Sequence, residues 1–379
     1  MGLVLSEEQR ILRDGARELL DTRAPVAALR KLRDEAHVDG FSRELWSQLV
    51  ELGWSGMALP EAFGGSDFGF FGVGIALEEA GRTLTVTPML SSVVMSASII
   101  EALGTEAQKS QYLRGVVHGE LLLALALDER PHHRPSTIEL QATATPTGFQ
   151  LNGQKTFVLD GHVADHLLVV ARTAGAIDDP HGLSVFLLPC ATEGLAITRT
   201  TMVDSRNAAN ISFTRVDLSA DQLLGPINGA ADALEHALDL GRIALAAEML
   251  GSAQEAFDRT LAYLKLREQF GVAIGSFQAL KHRAAQMFSE LELARSATYA
   301  ALSAVDDAND NIGLLASLAK AQCGDTFVLV ASEAVQMHGG IGMTDDEEIG
   351  FFLKRSRVAN QTLGDAAFHR DRYARLAGF

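Results

Sequence analysis

Apolar positions along this chain change period twice. From Ser6 the spacing is helical: Ser6 and Gln9 stand three apart as in a capping box, and Ile11, Leu12, Leu19 and Leu20 supply an apolar face. The same spacing returns over 41–52, 74–84 and 105–117. It breaks at Pro60-Glu61-Ala62-Phe63-Gly64-Gly65, a run that only a loop tolerates. From Leu121 the period shortens. Residues 121–127 form a continuous apolar run, and 137–145 and 148–159 alternate and carry β-branched side chains. Strand-like runs follow at 166–172, 183–188, 196–202 and 209–216, separated by Gly, Pro and Asn signals. Beyond Gly225-Pro226, the segments 230–265, 277–305 and 314–337 are rich in Ala, Leu, Glu and Met at helical spacing. These patterns predict an α+β chain of three consecutive domains: helical over 1–119, a β barrel or sandwich over 120–222, and helical again over 223–379. There is no internal repeat, low-complexity tract or Gly/Ser linker.

Composition narrows the chemistry. A length of 379 residues accommodates two to three domains. The formal net charge of −16 repels phosphate backbones, which argues against nucleic-acid binding. An anionic ligand must therefore be met by individual Arg or Lys side chains or backbone N–H groups. The two cysteines, Cys190 and Cys323, lie far apart, arguing against a disulfide framework or thiolate metal site and for a reducing compartment; the cytoplasm is expected. The N-terminal residues lack signal architecture, and no uninterrupted apolar run reaches the ~18 to 20 residues of a bilayer span, so no membrane partner is expected. His132, His133 and His282 lack the spacing of a zinc set, and no metal is expected.

Four segments carry a family signature. Residues Arg267-Glu268-Gln269-Phe270-Gly271-Val272-Ala273-Ile274-Gly275-Ser276-Phe277-Gln278, with His282 beyond, read as a tight connection between two helices. Arg267 there can offer a forked guanidinium to a pyrophosphate. Gln336-Met337-His338-Gly339-Gly340-Ile341-Gly342-Met343-Thr344 ends an apolar helix; alone, such a Gly pair is a common C-cap. Leu59–Gly65 and Leu151–Asp165 add a loop and a hairpin, for which Asn152-Gly153 is by itself sufficient turn chemistry. Together these closely resemble the acyl-CoA dehydrogenase family, along essentially the whole chain. The resemblance implies a helical N-terminal domain, a middle β-barrel domain and a C-terminal four-helix bundle. It also implies FAD as cofactor, an acyl-CoA thioester as substrate and an electron-transfer flavoprotein as electron acceptor. Arg267, Phe270, Gln278, Gln336, Gly339 and Gly340 are implied to hold the adenosine diphosphate side of a neighbouring subunit's FAD.

The departures fall at chemistry. Where the family carries a Glu base in a Y-E-G-T string, this chain has Thr362-Leu363-Gly364-Asp365, and where some members carry the base in L-E-R it has Leu240-Gly241-Arg242. Asp365 is the nearest carboxylate and a candidate catalytic base, with a helix N-cap as the bland alternative; Arg242 is a candidate for steadying that region, with a helix salt bridge as its alternative. The flavin-lining string of the β domain is replaced by Asp128-Glu129-Arg130-Pro131-His132-His133-Arg134-Pro135, and its Trp and Thr by Phe157 and Leu159. Met287 and Phe288 read as core, and His369–Arg372 as a solvated helix face. The resemblance is closest to partner subunits of bacterial acyl-CoA dehydrogenases built from two unlike chains, such as the small subunit of pimeloyl-CoA dehydrogenase. The expected activity is FAD-dependent α,β-desaturation of an acyl-CoA in a homo- or hetero-oligomer, a dimer or tetramer, with a heterotetramer foremost. Two alternatives stand beside it: a non-catalytic subunit completing another chain's FAD site, and a flavin monooxygenase on the same fold.

Overall fold

The computed structural model describes residues 4–179 and 181–379. The helices before the sheet are α1 (Glu7–Arg23), α2 (Val26–Asp34), α3 (Arg43–Glu51), α4 (Phe70–Arg82), α5 (Ala97–Leu103) and α6 (Glu106–Val117), with a π-helical segment at Met89–Ser96. The strands are β1 (Leu123–Ala126), β2 (Gln141–Thr145), β3 (Gly148–Leu159), β4 (His166–Arg172), β5 (Leu183–Pro189), β6 (Leu195–Thr201), β7 (Asn207–Ser219) and β8 (Leu223–Leu224). Then come α7 (Ala231–Leu266), the short strands β9 (Glu268–Gln269) and β10 (Val272–Ala273), α8 (Gln278–Asp306), α9 (Ile312–His338), α10 (Ile349–Gln361) and α11 (Ala366–Leu376). The capping box opens α1 as its spacing predicts, with the Ser6 side chain accepting from Gln9 N–H and the Gln9 side chain from Ser6 N–H.

Residues cluster into two compact units that cut across chain order, one of 4–36, 69–86 and 242–379, the other of 37–68 and 87–241. In the second unit the strands run β6-β7-β3-β2-β4-β5-β8, with β1 parallel to β4. Inward side chains including Leu151, Leu167, Val169, Phe186, Ile211 and Val216 form its core.

In the first unit α9 is the central helix, packed by α8, α10 and α11. Over an 18-residue window it is apolar enough to span a bilayer by composition; Phe327, Val330, Ala331 and Ala334 are fully buried among its neighbours, which explains that character as a core helix. Glycines let backbone approach backbone where α4 meets α7. A Cβ at Gly81 would stand 2.0 Å from Glu248 O, and one at Gly251 1.8 Å from Glu78 O. Of the two α8 residues expected in the core, Met287 is buried but Phe288 is 54% exposed, because consecutive helical positions turn about 100° apart and only Met287 faces inward. The run His369–Arg372 is likewise no fully solvated face: His369 is 0% and Arg372 8% exposed, since both lie on the side of α11 turned toward α9.

Candidate functional site

The chain between α7 and α8 forms a two-residue β-hairpin. β9 pairs with β10, and the turn residues Phe270 and Gly271 both have positive φ, +55° and +78°. Paired positive φ values are the geometry that matches strand twist in short hairpins, and position two is met by glycine at no cost. Phe270 accepts a left-handed conformation that costs an L-residue roughly 1 to 2 kcal/mol. Its side chain is 93% exposed and touches Phe277 edge-on at 6.1 Å. A strained aromatic left this exposed gains little from its own fold beyond the one ring contact, and such outliers concentrate where a ligand or partner is met. Arg267 at the hairpin base and Gln278 at the start of α8 are also exposed.

At the far end of α9, Gly339 adopts φ +67° and ψ −142°, a region open to glycine alone. A Cβ placed on Gly339, Gly340 or Gly271 would meet no atom within 4 Å, so open space lies over both turns. Gln336 is exposed beside it. The two segments share an anchor. His338, 5% exposed, donates from Nδ1 to Ala334 O at 2.7 Å and stacks on Tyr263 at 4.4 Å between centroids. Tyr263 lies one turn before Arg267, whose N–H bonds Tyr263 O at 2.8 Å. The hairpin and the glycine turn therefore rise from one joined base, steadied further by Arg283–Glu333 and by Arg259–Glu348 at 2.8 Å. Exposed Arg267, open space over two glycine turns and an exposed aromatic ring fit the diphosphate end of a dinucleotide, which needs donors and close backbone approach.

The turn between α10 and α11 is pinned from below by buried basic groups. Leu363 has φ +57° and Gly364 φ +97°. Lys320, fully buried on α9, donates to Asn360 O at 3.1 Å and Gly364 O at 2.8 Å. His369 donates from Nε2 to Leu363 O at 3.0 Å. Burial, together with the charges of Lys320, Arg242 and Arg372, pushes the His369 imidazole down to about 2, so the ring is neutral. Arg242 is 0% exposed on α7, its guanidinium carbon 5.9 Å from the Phe368 ring centroid. Asp365 is the N-cap of α11, accepting from Phe368 N–H at 2.8 Å.

In the sheet unit, the segment after β1 is tied inward. Glu129 accepts from Glu139 N–H at 2.6 Å, Leu140 N–H at 3.0 Å and the buried Lys155 Nζ at 2.7 Å. Asp128 pairs with His133 at 3.0 Å and takes Arg134 N–H at 3.3 Å. On β3, Phe157 has φ +54° and is 36% exposed, while Leu159 is half-buried.

Three models of one family account for nearly all of this chain: the acyl-CoA dehydrogenase N-terminal domain over residues 6–120, the middle domain over 125–216 and the C-terminal domain over 228–377. The chain belongs to the acyl-CoA dehydrogenase family. It is 30% identical to the mitochondrial isovaleryl-CoA dehydrogenase of Pongo abelii, covering 97% of this chain and 88% of that protein. It is also 30% identical to the probable acyl-CoA dehydrogenase YngJ of Bacillus subtilis (strain 168), covering 98% of both. Among solved structures it resembles the ChsE4-ChsE5 complex from Mycobacterium tuberculosis, with TM-score 0.90, 26% identity and full coverage of both chains.

Members of the acyl-CoA dehydrogenase family are FAD-dependent oxidoreductases. Of the residues singled out from sequence, the structure brings Arg267, Phe270, Gln336, Gly339 and Gly340 to one tethered end of the helical unit, with Gln278 just past the hairpin. Asp365 and Arg242 lie at the separate α10–α11 turn. Tyr263, His338 and Lys320 escaped notice as functional residues. Lys320 had a signal, a lone charge inside the apolar stretch 312–324, whereas a Tyr–His stack between distant helices leaves none. Lys320 yields a pH test. Burial pushes its amine down to about 7 from 10.5, so between about pH 7 and pH 10 the unfolded chain binds more protons than the folded one. Its contribution to unfolding free energy therefore rises with pH across that window, and Lys320→Met is expected to flatten this rise in urea titrations at pH 6.5 and 9.5.

Proposed function

We propose that this chain is one subunit of a heteromeric acyl-CoA dehydrogenase, in which it completes the FAD site of an unlike neighbouring chain and supplies no base of its own. One asymmetry carries the reading. The segments for a neighbour's cofactor are exposed, strained and anchored, whereas the position of the usual base holds Leu363, which cannot accept a proton. The β-domain segment after β1 adds support, because the carboxylates of Asp128 and Glu129 are engaged inside their own unit. A complex named for two components, ChsE4-ChsE5, is a structural relative and fits such pairing.

In this reading Arg267 and the backbone N–H groups around Gly339 and Gly340 bind the diphosphate, and Phe270 packs against the nucleotide end. FAD, when bound, would supply the acceptor for the substrate's β-hydride, with an electron-transfer flavoprotein as the acceptor of its two electrons. The α-proton is taken by a carboxylate of the partner chain. Here Lys320, His369 and Arg242 hold the α10–α11 turn in shape rather than moving a proton. Localisation to the cytoplasm is part of the same proposal.

Flavin content tests the assembly. Produced alone, the chain is expected to be colourless; tagged and purified from its own cells, it is expected to co-elute with an unlike acyl-CoA dehydrogenase chain and with FAD. One FAD per chain in the protein produced alone would overturn the proposal. A separate variant addresses Asp365. Asn caps a helix as well as Asp but cannot act as a base, so Asp365→Asn is expected to leave both fold and turnover of the complex unchanged. A loss of turnover with flavin retained would reinstate Asp365 as the base.

A further inference from the structure

The glycine turn has a second anchor on its exit side, contributed by a helix near the N-terminus. Within the helical unit, Arg33 Nη1 and Nη2 donate to the two carboxylate oxygens of Asp345 at 2.6 and 2.7 Å, and Arg30 Nη1 adds 2.7 Å to one of them and a bond to the Asp345 carbonyl. Surface ion pairs are ordinarily weak, because long side chains lose freedom to hold one geometry. Here that loss is already incurred: both guanidinium groups lie over the buried Phe351 ring, at 4.9 and 5.0 Å from its centroid, placing them before the carboxylate arrives. Asp345 stands two residues beyond the turn Gly339–Met343, which Thr344 closes by bonding Ile341 O from its N–H at 3.0 Å and its hydroxyl at 2.7 Å. With His338 held at the entry and Asp345 at the exit, the glycine pair between them has little freedom left, although its own residues favour many conformations.

We infer that Asp345, clamped by Arg30 and Arg33, is a positioning residue that sets the conformation in which the Gly339–Gly340 turn meets the cofactor; the cofactor part of this rests on the reading proposed above. The Arg33 guanidinium holds the Asp345 carboxyl down to about 2, so the clamp stays charged through the neutral range. Asp345 acts through the turn and touches no reacting atom.

Hydrogen exchange of the full chain tests the clamp. In Asp345→Asn, amides of residues 339–344 are expected to exchange roughly fivefold faster, while those of 316–335 do not change. Asp345→Glu, which keeps the carboxylate both arginines meet, is expected to restore protection. Unchanged exchange at the turn in Asp345→Asn would overturn the clamp, and so would failure of Asp345→Glu to restore it. The cofactor role is read in the complex purified from native cells: the Asn variant is expected to lose flavin, with its subunit ratio intact. Retained flavin despite faster exchange would overturn that role. Absence of flavin from the wild-type complex would instead refute the assembly reading, leaving the clamp to be decided by exchange alone.

Discussion

The Tyr263–His338 stack is the contact on which the functional reading depends. The hairpin leaves the end of α7 and the glycine turn leaves the end of α9, and two helices of this length can end far apart. Joining them one turn below the hairpin makes a single rigid base from two remote stretches of sequence. A ligand held by both then finds them already arranged, so less ordering opposes binding. The same contact explains why strain at Phe270 is tolerable, because the hairpin is built on a fixed stem rather than on a free loop.

Charge makes the local arrangement matter more. With a net charge of −16, the molecule as a whole repels an anionic cofactor or thioester, and attraction must come from a few placed groups. Arg267 and the open backbone of the two turns meet that requirement at the exposed end. At the α10–α11 turn the basic groups are turned inward and spent on carbonyls: Lys320 on Asn360 and Gly364, His369 on Leu363. The left-handed backbone at Leu363 is thus held by hydrogen bonds to its own carbonyl and to carbonyls on either side of it.

Much of this was legible from residues alone, for identifiable reasons. Strands β3 and β4 begin and end where the sequence placed them: the alternating run 148–159 became β3 and the apolar run 166–172, buried almost throughout, became β4, and their ends carry glycine or loop signals. The hairpin and glycine turn were visible as motifs because each needs glycine at a fixed place. The π-helical segment Met89–Ser96 and α2 were missed: the first is buried almost throughout and shows no amphipathic period, and the second lies behind Pro25 without a side-chain cap. Burial of His369 and Arg372 was also illegible, since polar residues read as solvated until their partners from α9 and the preceding turn are in place. Asp345 looked like one acid among many, as its significance comes from two arginines more than 300 residues earlier.

In the proposed assembly the hairpin and glycine turn of this chain grip the nucleotide end of a neighbour's flavin. The most direct measurement is the flavin content of the complex purified from native cells with Arg267→Ala in this chain only. An intact complex with the same subunit ratio that has lost most of its FAD is expected. A complex carrying wild-type flavin despite that substitution would contradict that grip.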